Sequence, residues 1–232
     1  MSEVKKMNES KTLFGEALRD AFQGKQEGDF LVCSDDAKEF PLELSFYLSG
    51  EPERPEVQVL SRVSGRILDL GCGCGRILKY LQDKGLDVTG LDIDPITVEV
   101  AEQRGCRQVY AGTPVDLDQY RPFDTILLLD RTLCAMGTPH QITSVLSRCH
   151  ACSASHAQII FDSIEVSKEL AHPSPGIMQD TLRFKYKGKV GKPFVRTFFS
   201  ASVARDLAAR TGWELLDTLT RGDRFWMTCR RK

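Results

Sequence analysis

The sequence predicts an α/β fold: a doubly wound, mostly parallel sheet with helices on both faces. Three observations predict it. From residue 66 the hydrophobic period switches repeatedly between that of a strand and that of a helix, the order of βαβ units. Two of the strand-like stretches, around ILLL (126–129) and QIIF (158–161), are almost wholly apolar, as strands covered on both faces must be. A glycine-rich turn, GCGCG (71–75), sits where the first strand of the series passes into the first helix.

The elements follow in order. RILDL (66–70) reads as a strand, and GRILKYLQDKG (75–85) places Ile77, Leu78 and Leu81 at helical spacing before a glycine stop. DVTGLD (87–92) is the second strand. Asp94 can cap a helix that opens with Pro95 and closes near Gly105. QVYAG (108–112) and FDTILLLD (123–130) are strands three and four. A helix over about 139–152 puts Ile142, Val145, Leu146 and Cys149 on one face, and AQIIFD (157–162) is strand five.

After residue 162 the pattern changes. HPSPG (172–176) breaks regular structure, and TLRFKY (181–186) and VRTFFS (195–200) read as an inserted strand pair around a basic turn. A helix near 201–211 follows. WELLDTL (213–219) and RFWMTC (224–229) then flank Arg221-Gly222-Asp223 as an antiparallel hairpin that closes the sheet; the triplet is read as turn chemistry rather than an adhesion motif. Residues 1–60 stand apart as an N-terminal helical, aromatic cap: an amphipathic helix carries Leu13, Phe14, Ala17 and Leu18, then come Phe30, Phe40, Phe46 and Tyr47, with Pro52 and Pro55 at the exit. Residues 61–232 form the main domain, with 181–200 serving as a lid or a dimer element.

Composition narrows the function. A formal net charge of -1 gives no electrostatic reason to expect nucleic acid or a membrane surface as partner. No stretch approaches the roughly 20 apolar residues of a membrane span, and the polar N-terminus is unlike a secretory signal. Several of the eight cysteines fall inside helix-like or strand-like patterns, so reduced thiols in the cytoplasm are expected. Cys72 and Cys74 have no matching His or Cys cluster and make a poor metal site, and Cys149 lies on an apolar helix face; no metal is expected.

The glycine turn is the candidate binding site. In an open α/β sheet, ligands sit beyond the carboxyl ends of the strands, where this turn lies. Dinucleotide folds use G-x-G-x-x-G/A, but the sixth position here is Arg76, which would crowd the helix–strand contact. Asp69, two residues before the turn, would repel a diphosphate yet could accept hydrogen bonds from an ammonium group. Asp92 ends the second strand about 20 residues on, where a carboxylate binds ribose hydroxyls. A ligand with a ribose, a carboxylate and an amine satisfies all of these, which fits S-adenosylmethionine better than NAD.

The stretches DLGCGCGRILKYL, GLDVTGLDIDP and FDTILLL resemble the class I S-adenosylmethionine-dependent methyltransferases. The resemblance covers about residues 64–163 well and extends loosely to 232. It implies a seven-stranded Rossmann-like sheet with an antiparallel last strand and S-adenosylmethionine as cofactor. It implies that Asp69, Gly71, Cys72 and Gly73 cradle the methionine end, Asp92 the ribose, and Ile93 the adenine face. Thr113 and Pro114 would meet the adenine edge, and Leu129 and Asp130 the amine and the substrate. Two departures stand out. Many relatives carry an aspartate at Thr113, and a frequent Gly-Gly pair before strand five is Ser155–His156 here.

His172, in the loop past strand five, is a candidate general base, and Asp130 a candidate substrate-orienting acid. LLDRTL (128–133) lacks the N/D-P-P-Y/F segment of amino-directed nucleic-acid methyltransferases. A small-molecule acceptor is therefore expected. The rivals are a binding-only module for S-adenosylmethionine and an NAD-dependent oxidoreductase.

Overall fold

The computed structural model describes residues 3–120 and 122–232, with side chains from Thr12 onward. In chain order the first elements are α1 (Glu3–Phe22), β1 (Leu31–Ser34), β2 (Glu39–Pro41), α2 (Leu44–Leu48) and α3 (Arg54–Leu60). The alternating region follows as β3 (Arg66–Leu70), α4 (Arg76–Asp83), β4 (Asp87–Asp92), α5 (Pro95–Gln103), β5 (Val109–Ala111), β6 (Phe123–Leu128), α6 (Pro139–Ala151) and β7 (Ser153–Ile164). The chain ends with β8 (Ile177–Tyr186), β9 (Lys189–Val190), β10 (Phe194–Phe199), α7 (Ala201–Arg210), β11 (Trp213–Arg221) and β12 (Arg224–Arg231).

The main sheet has seven strands in the order β11-β12-β7-β6-β3-β4-β5. The ladders from β7 through β5 are parallel, and β12 runs antiparallel to both of its neighbours. This is the doubly wound sheet with an antiparallel last strand that the sequence predicts. The order reverses at β3, which lies between β4 and β6, so the crevice beyond the end of β3 is a topological switch point. Two apolar layers hold the sheet. One packs Leu68, Ile126 and Ile159 under α6, α7 and Trp213; the other packs Ile67, Leu127 and Ile160 against Leu78, Leu81 and Trp226. Alternating residues of one strand thus enter opposite layers, the period of a strand buried on both faces.

Local chemistry sets the element ends. The Asp94 side chain accepts the Ile96 amide at 3.0 Å as the cap of α5, with Pro95 at the first helical position. Gly222, at φ 61°, takes the position that a II′ hairpin turn reserves for glycine between β11 and β12. The Cys149/Cys152 region is structural. Cys149 is buried, and the His150 ring stands edge-on to Trp213 at 5.5 Å.

The N-terminal segment and the insertion are more elaborate than their sequence suggests. β1 and β2 lie within the segment expected to be helical, and β8, β9 and β10 extend the expected pair. Together they form a second, five-stranded sheet in the order β10-β8-β1-β2, with β9 also on β8. LVCS and EFP are too short to announce themselves as strands; they form because β8 offers an edge to pair with. Pro55, expected at the exit of the segment, lies in the first turn of the short helix α3. The basic run 185–192 is a tie to the cap as well as a turn. Lys185 pairs with Glu39, Lys187 with Asp20 and Lys189 with Glu16.

Candidate active site

A cavity of about 520 Å³ opens at the switch point, between the carboxyl ends of β3, β4 and β6 and the second sheet. Its lining contains every residue expected to hold the cofactor: Asp69, Gly71, Cys72, Gly73, Asp92, Ile93, Thr113, Pro114, Leu129 and Asp130. Those residues come from four separate strand ends. The parallel order of the sheet brings them together.

The glycine turn explains itself sterically. Gly71 has φ 78°, and a Cβ there would collide with Thr132; Gly73 has φ 52°, and a Cβ there would meet no protein atom within 4 Å. The turn therefore needs left-handed backbone and leaves open space beside Gly73 for a ligand. Asp92 ties this loop to the next strand. Its Oδ2 accepts the Gly73 amide at 2.8 Å, and its Oδ1 accepts the Asp94 amide at 2.9 Å and the Thr97 hydroxyl at 3.3 Å.

Asp69 is buried at 4% exposure, and its Oδ2 has no hydrogen-bond partner. Burial pushes its pKa up to about 7; the Arg76 charge opposes the rise and Asp92 adds to it. A buried acceptor without a partner costs roughly 1–3 kcal/mol, so a cationic donor delivered here would relieve a standing penalty. Thr113 is engaged with its neighbour: its amide and hydroxyl both donate to Asp116 at 2.7 and 2.9 Å, which caps the 3₁₀ turn 114–119. Its hydroxyl oxygen keeps lone pairs for a ligand donor.

Arg76 does not crowd the sheet. It reaches α3, where its two terminal nitrogens donate to Glu56 at 2.7 and 2.8 Å, and it stacks on Phe46 with 4.5 Å to the ring centroid. Burial alone would raise the Glu56 carboxyl, but the Arg76 hydrogen bond and charge outweigh it and hold Glu56 below its usual range. Arg104 makes a second tie, donating to the carbonyls of Cys74, Tyr47 and Leu48. The glycine turn and the N-terminal segment are thus joined by two guanidinium groups. Neither tie is visible in the sequence, because a charged residue at a helix end carries no mark of its partner. The one hint is Glu53-x-x-Glu56, which forms a capping box at the start of α3.

Asp130 is an ion-pair hub. It lies 2.9 Å from Arg131, 3.7 Å from Arg224 and 3.9 Å from Arg76. Asp130 and Arg131 both have positive φ, 59° and 61°, an arrangement non-glycine residues adopt at some cost. The Arg131 amide donates to Asp162 at 2.8 Å, which holds this strained corner in place. Tyr47, Phe14, Phe184, Phe194 and Arg196 line the opposite wall. Burial, reinforced by Asp130, pushes the Tyr47 phenol up to about 12, so it is a donor at neutral pH.

His172 departs from expectation. It is exposed and does not line the cavity. Its backbone is bound to the start of β8, with its amide donating to Ile177 and its carbonyl accepting from Gln179. The proline-rich stretch around it reads as a lid, but these ladder bonds fasten it outside the site. Among the described residues, no group of three or more His, Cys, Asp or Glu side chains is placed to hold a metal ion, and no helix is long and apolar enough to cross a membrane.

Residues 68–157 match the model of a protein family described as a methyltransferase domain. Over that stretch the chain is similar to methyltransferase domains. The match begins at Leu68, one residue before Asp69, and takes in the glycine turn, Asp92 and Asp130. An S-adenosylmethionine-dependent methyltransferase from Bacteroides fragilis, solved with S-adenosyl-L-homocysteine, has the same fold over 96% of this chain and 95% of its own, with a TM-score of 0.83 at 22% identity. The 1,6-didemethyltoxoflavin N1-methyltransferase of Burkholderia thailandensis is similar over 77% of each chain, with a TM-score of 0.57 at 20% identity. An amino pentose methyltransferase from Micromonospora echinaspora, solved with S-adenosylmethionine, is similar over 84% of this chain and 99% of its own, with a TM-score of 0.57 at 16% identity. The chain thus shares the fold of S-adenosylmethionine-dependent methyltransferases across the second sheet as well as the first.

Proposed function

We propose that this methyltransferase transfers the methyl group of S-adenosylmethionine to a small molecule in the cytoplasm. One observation carries the reading: the buried Asp69 oxygen without a partner, beside a glycine turn with open space and in one cavity with Asp92. An amino-acid-bearing nucleoside fits those groups. Asp69 would accept from its ammonium group and Asp92 from the ribose hydroxyls, while Ile93 packs on the adenine face, Thr113 and Pro114 meet its edge, and Leu129 and Asp130 face the amine and the acceptor. A dinucleotide does not fit, since Asp69 would face its diphosphate.

When bound, S-adenosylmethionine supplies a methyl group already activated by its sulfonium. The protein's part is alignment and exclusion of water, which can lower a barrier by roughly 7–11 kcal/mol. The N-terminal segment (1–60) and the insertion (181–200) close the cavity on the acceptor side, supported by Phe14 and Tyr47 from the first and Phe184 and Phe194 from the second. Asp130, held by Arg131, would orient the acceptor rather than carry a proton away. Small-molecule acceptors in the neighbours from Burkholderia and Micromonospora support the acceptor class. The near-neutral charge supports the absence of nucleic acid, and unpaired thiols support a reducing compartment.

The test is incubation with methyl-labelled S-adenosylmethionine and a metabolite extract. Label appearing in a small-molecule product, dependent on Asp69, is expected. Cofactor binding with no label transferred to any metabolite would leave a binding-only module and overturn the catalytic reading.

A further inference from the structure

The acceptor half of the cavity has a definite chemistry. An aromatic wall crosses it: Tyr47 meets Phe14 edge-on at 5.1 Å, Phe14 meets Phe184 at 5.6 Å, and Phe184 meets Phe194 at 4.8 Å between ring centroids. All four side chains are half-buried and line the cavity, so they present ring surface to it. Such a wall favours a flat, apolar partner through offset and edge contacts.

The charges on that half are unequal in how far they are engaged. Of the four lining carboxylates, Asp69 and Asp92 belong to the cofactor and Asp94 caps α5. The fourth, Asp130, is held by Arg131 at 2.9 Å, so no lining carboxylate is left to receive an acceptor's cation. Among the guanidinium groups, Arg76 spends both terminal nitrogens on Glu56, and Arg131 is bound to Asp130. Arg196 differs. One terminal nitrogen meets Asp180 at 3.2 Å and its plane lies over Phe198 at 4.4 Å, but its Nε is buried with no hydrogen-bond partner. An Nε–H is one prong of the fork with which a guanidinium grips a planar anion. A buried donor left unmet is costly, and a ligand oxygen would repay that cost.

Resting on the methyltransferase reading, we propose that the methyl acceptor is an aromatic or conjugated molecule bearing an anionic group, with the ring on the Tyr47–Phe14–Phe184–Phe194 wall and the anion on Arg196. Arg196 is the residue that selects for charge. An acceptor whose only charge is an amine is selected against, because every lining carboxylate is already engaged.

The test uses protein saturated with S-adenosylhomocysteine and three probes of similar shape: 4-hydroxycinnamate, its primary amide, and the cation tyramine. Calorimetric titration is expected to show the acid binding at least about tenfold tighter than the amide, the gain of one charge-assisted hydrogen bond, with tyramine weakest. Arg196→Gln is expected to erase the preference for acid over amide, and Arg196→Lys to restore part of it. Equal binding of acid and amide, tighter binding of tyramine, binding of none of the three, or an unchanged preference in Arg196→Gln would overturn the proposal. Failure of wild-type protein to bind S-adenosylhomocysteine in the first step would instead overturn the methyltransferase reading on which it rests.

Discussion

At the scale of single residues, Asp69 is where the proposed cofactor contact and stability pull apart. Its folded-state pKa, near 7, lies above the ordinary value of 3.8. Between those two values the folded chain holds more protons than the unfolded one, so its contribution to stability is present in acid and is lost as pH rises through 7. Asp69→Asn removes that loss. The unliganded variant is expected to melt several degrees above wild type at pH 8 (about 2–4 °C for each kcal/mol) and to match it near pH 4; scanning calorimetry at the two pH values measures this. The same variant is expected to lose most of its cofactor affinity. The pH dependence of wild-type binding follows with the opposite sense. The ligand's ammonium selects the ionised carboxylate, so affinity for S-adenosylhomocysteine should be flat above pH 7 and fall toward about tenfold per unit below it. A pH-independent affinity between 5 and 8 would place the ammonium elsewhere. Asp92→Ala should weaken binding roughly 10- to 100-fold, the value of one charge-assisted hydrogen bond or more. Asp69 and Asp92 were legible in the sequence because their spacing from the glycine turn is fixed by the strand–turn–helix path. His172 was misplaced because its loop is fastened by a ladder to β8, a pairing that no local pattern discloses.

At the scale of elements, the point of interest is how α3 meets α4. Glu56 is fully buried and Arg76 nearly so, joined by two hydrogen bonds. Removing one partner of such a pair leaves an uncompensated buried charge and costs about 3–5 kcal/mol. Glu56→Ala is expected to lower the melting temperature accordingly, and adding Arg76→Met to that variant should recover part of the loss; a double-mutant cycle by thermal denaturation reads the coupling. Additive losses would show that the two side chains do not act as a pair. β3 to β6 and their helices were readable to within about two residues because each has one hydrophobic period and a cap or a glycine stop, whereas β7 begins at Ser153, ahead of the apolar stretch that marks it. β1 and β2 were not. Three- and four-residue strands carry no period; β2 depends on β1, and β1 on β8, about 150 residues further along the chain.

At the scale of the whole molecule, the chain is two sheets around one cavity. The first provides the strand ends and the glycine turn, and the second lines the cavity with Val32, Leu182, Phe184, Phe194 and Arg196. The parallel sheet followed from alternation in the sequence alone. The second sheet could not, because it joins residues 31–41 to residues 177–199 through long-range antiparallel pairing. Arg76 and Arg104 tie the glycine turn and the helices beside it to residues 46–56, so ligand binding at that turn should stiffen the N-terminal segment. Hydrogen exchange is expected to slow in residues 44–60 when S-adenosylhomocysteine is added; unchanged exchange would mean that the ties do not transmit. The central claim is that the cavity holds an amino-acid-bearing nucleoside rather than a dinucleotide. Calorimetric titration of the full chain at pH 8 with S-adenosylhomocysteine, and separately with NADH, tests it most directly. One-to-one binding of S-adenosylhomocysteine, sharply weakened by Asp69→Asn, is expected, with no binding of NADH. Binding of NADH with no heat from S-adenosylhomocysteine would contradict it.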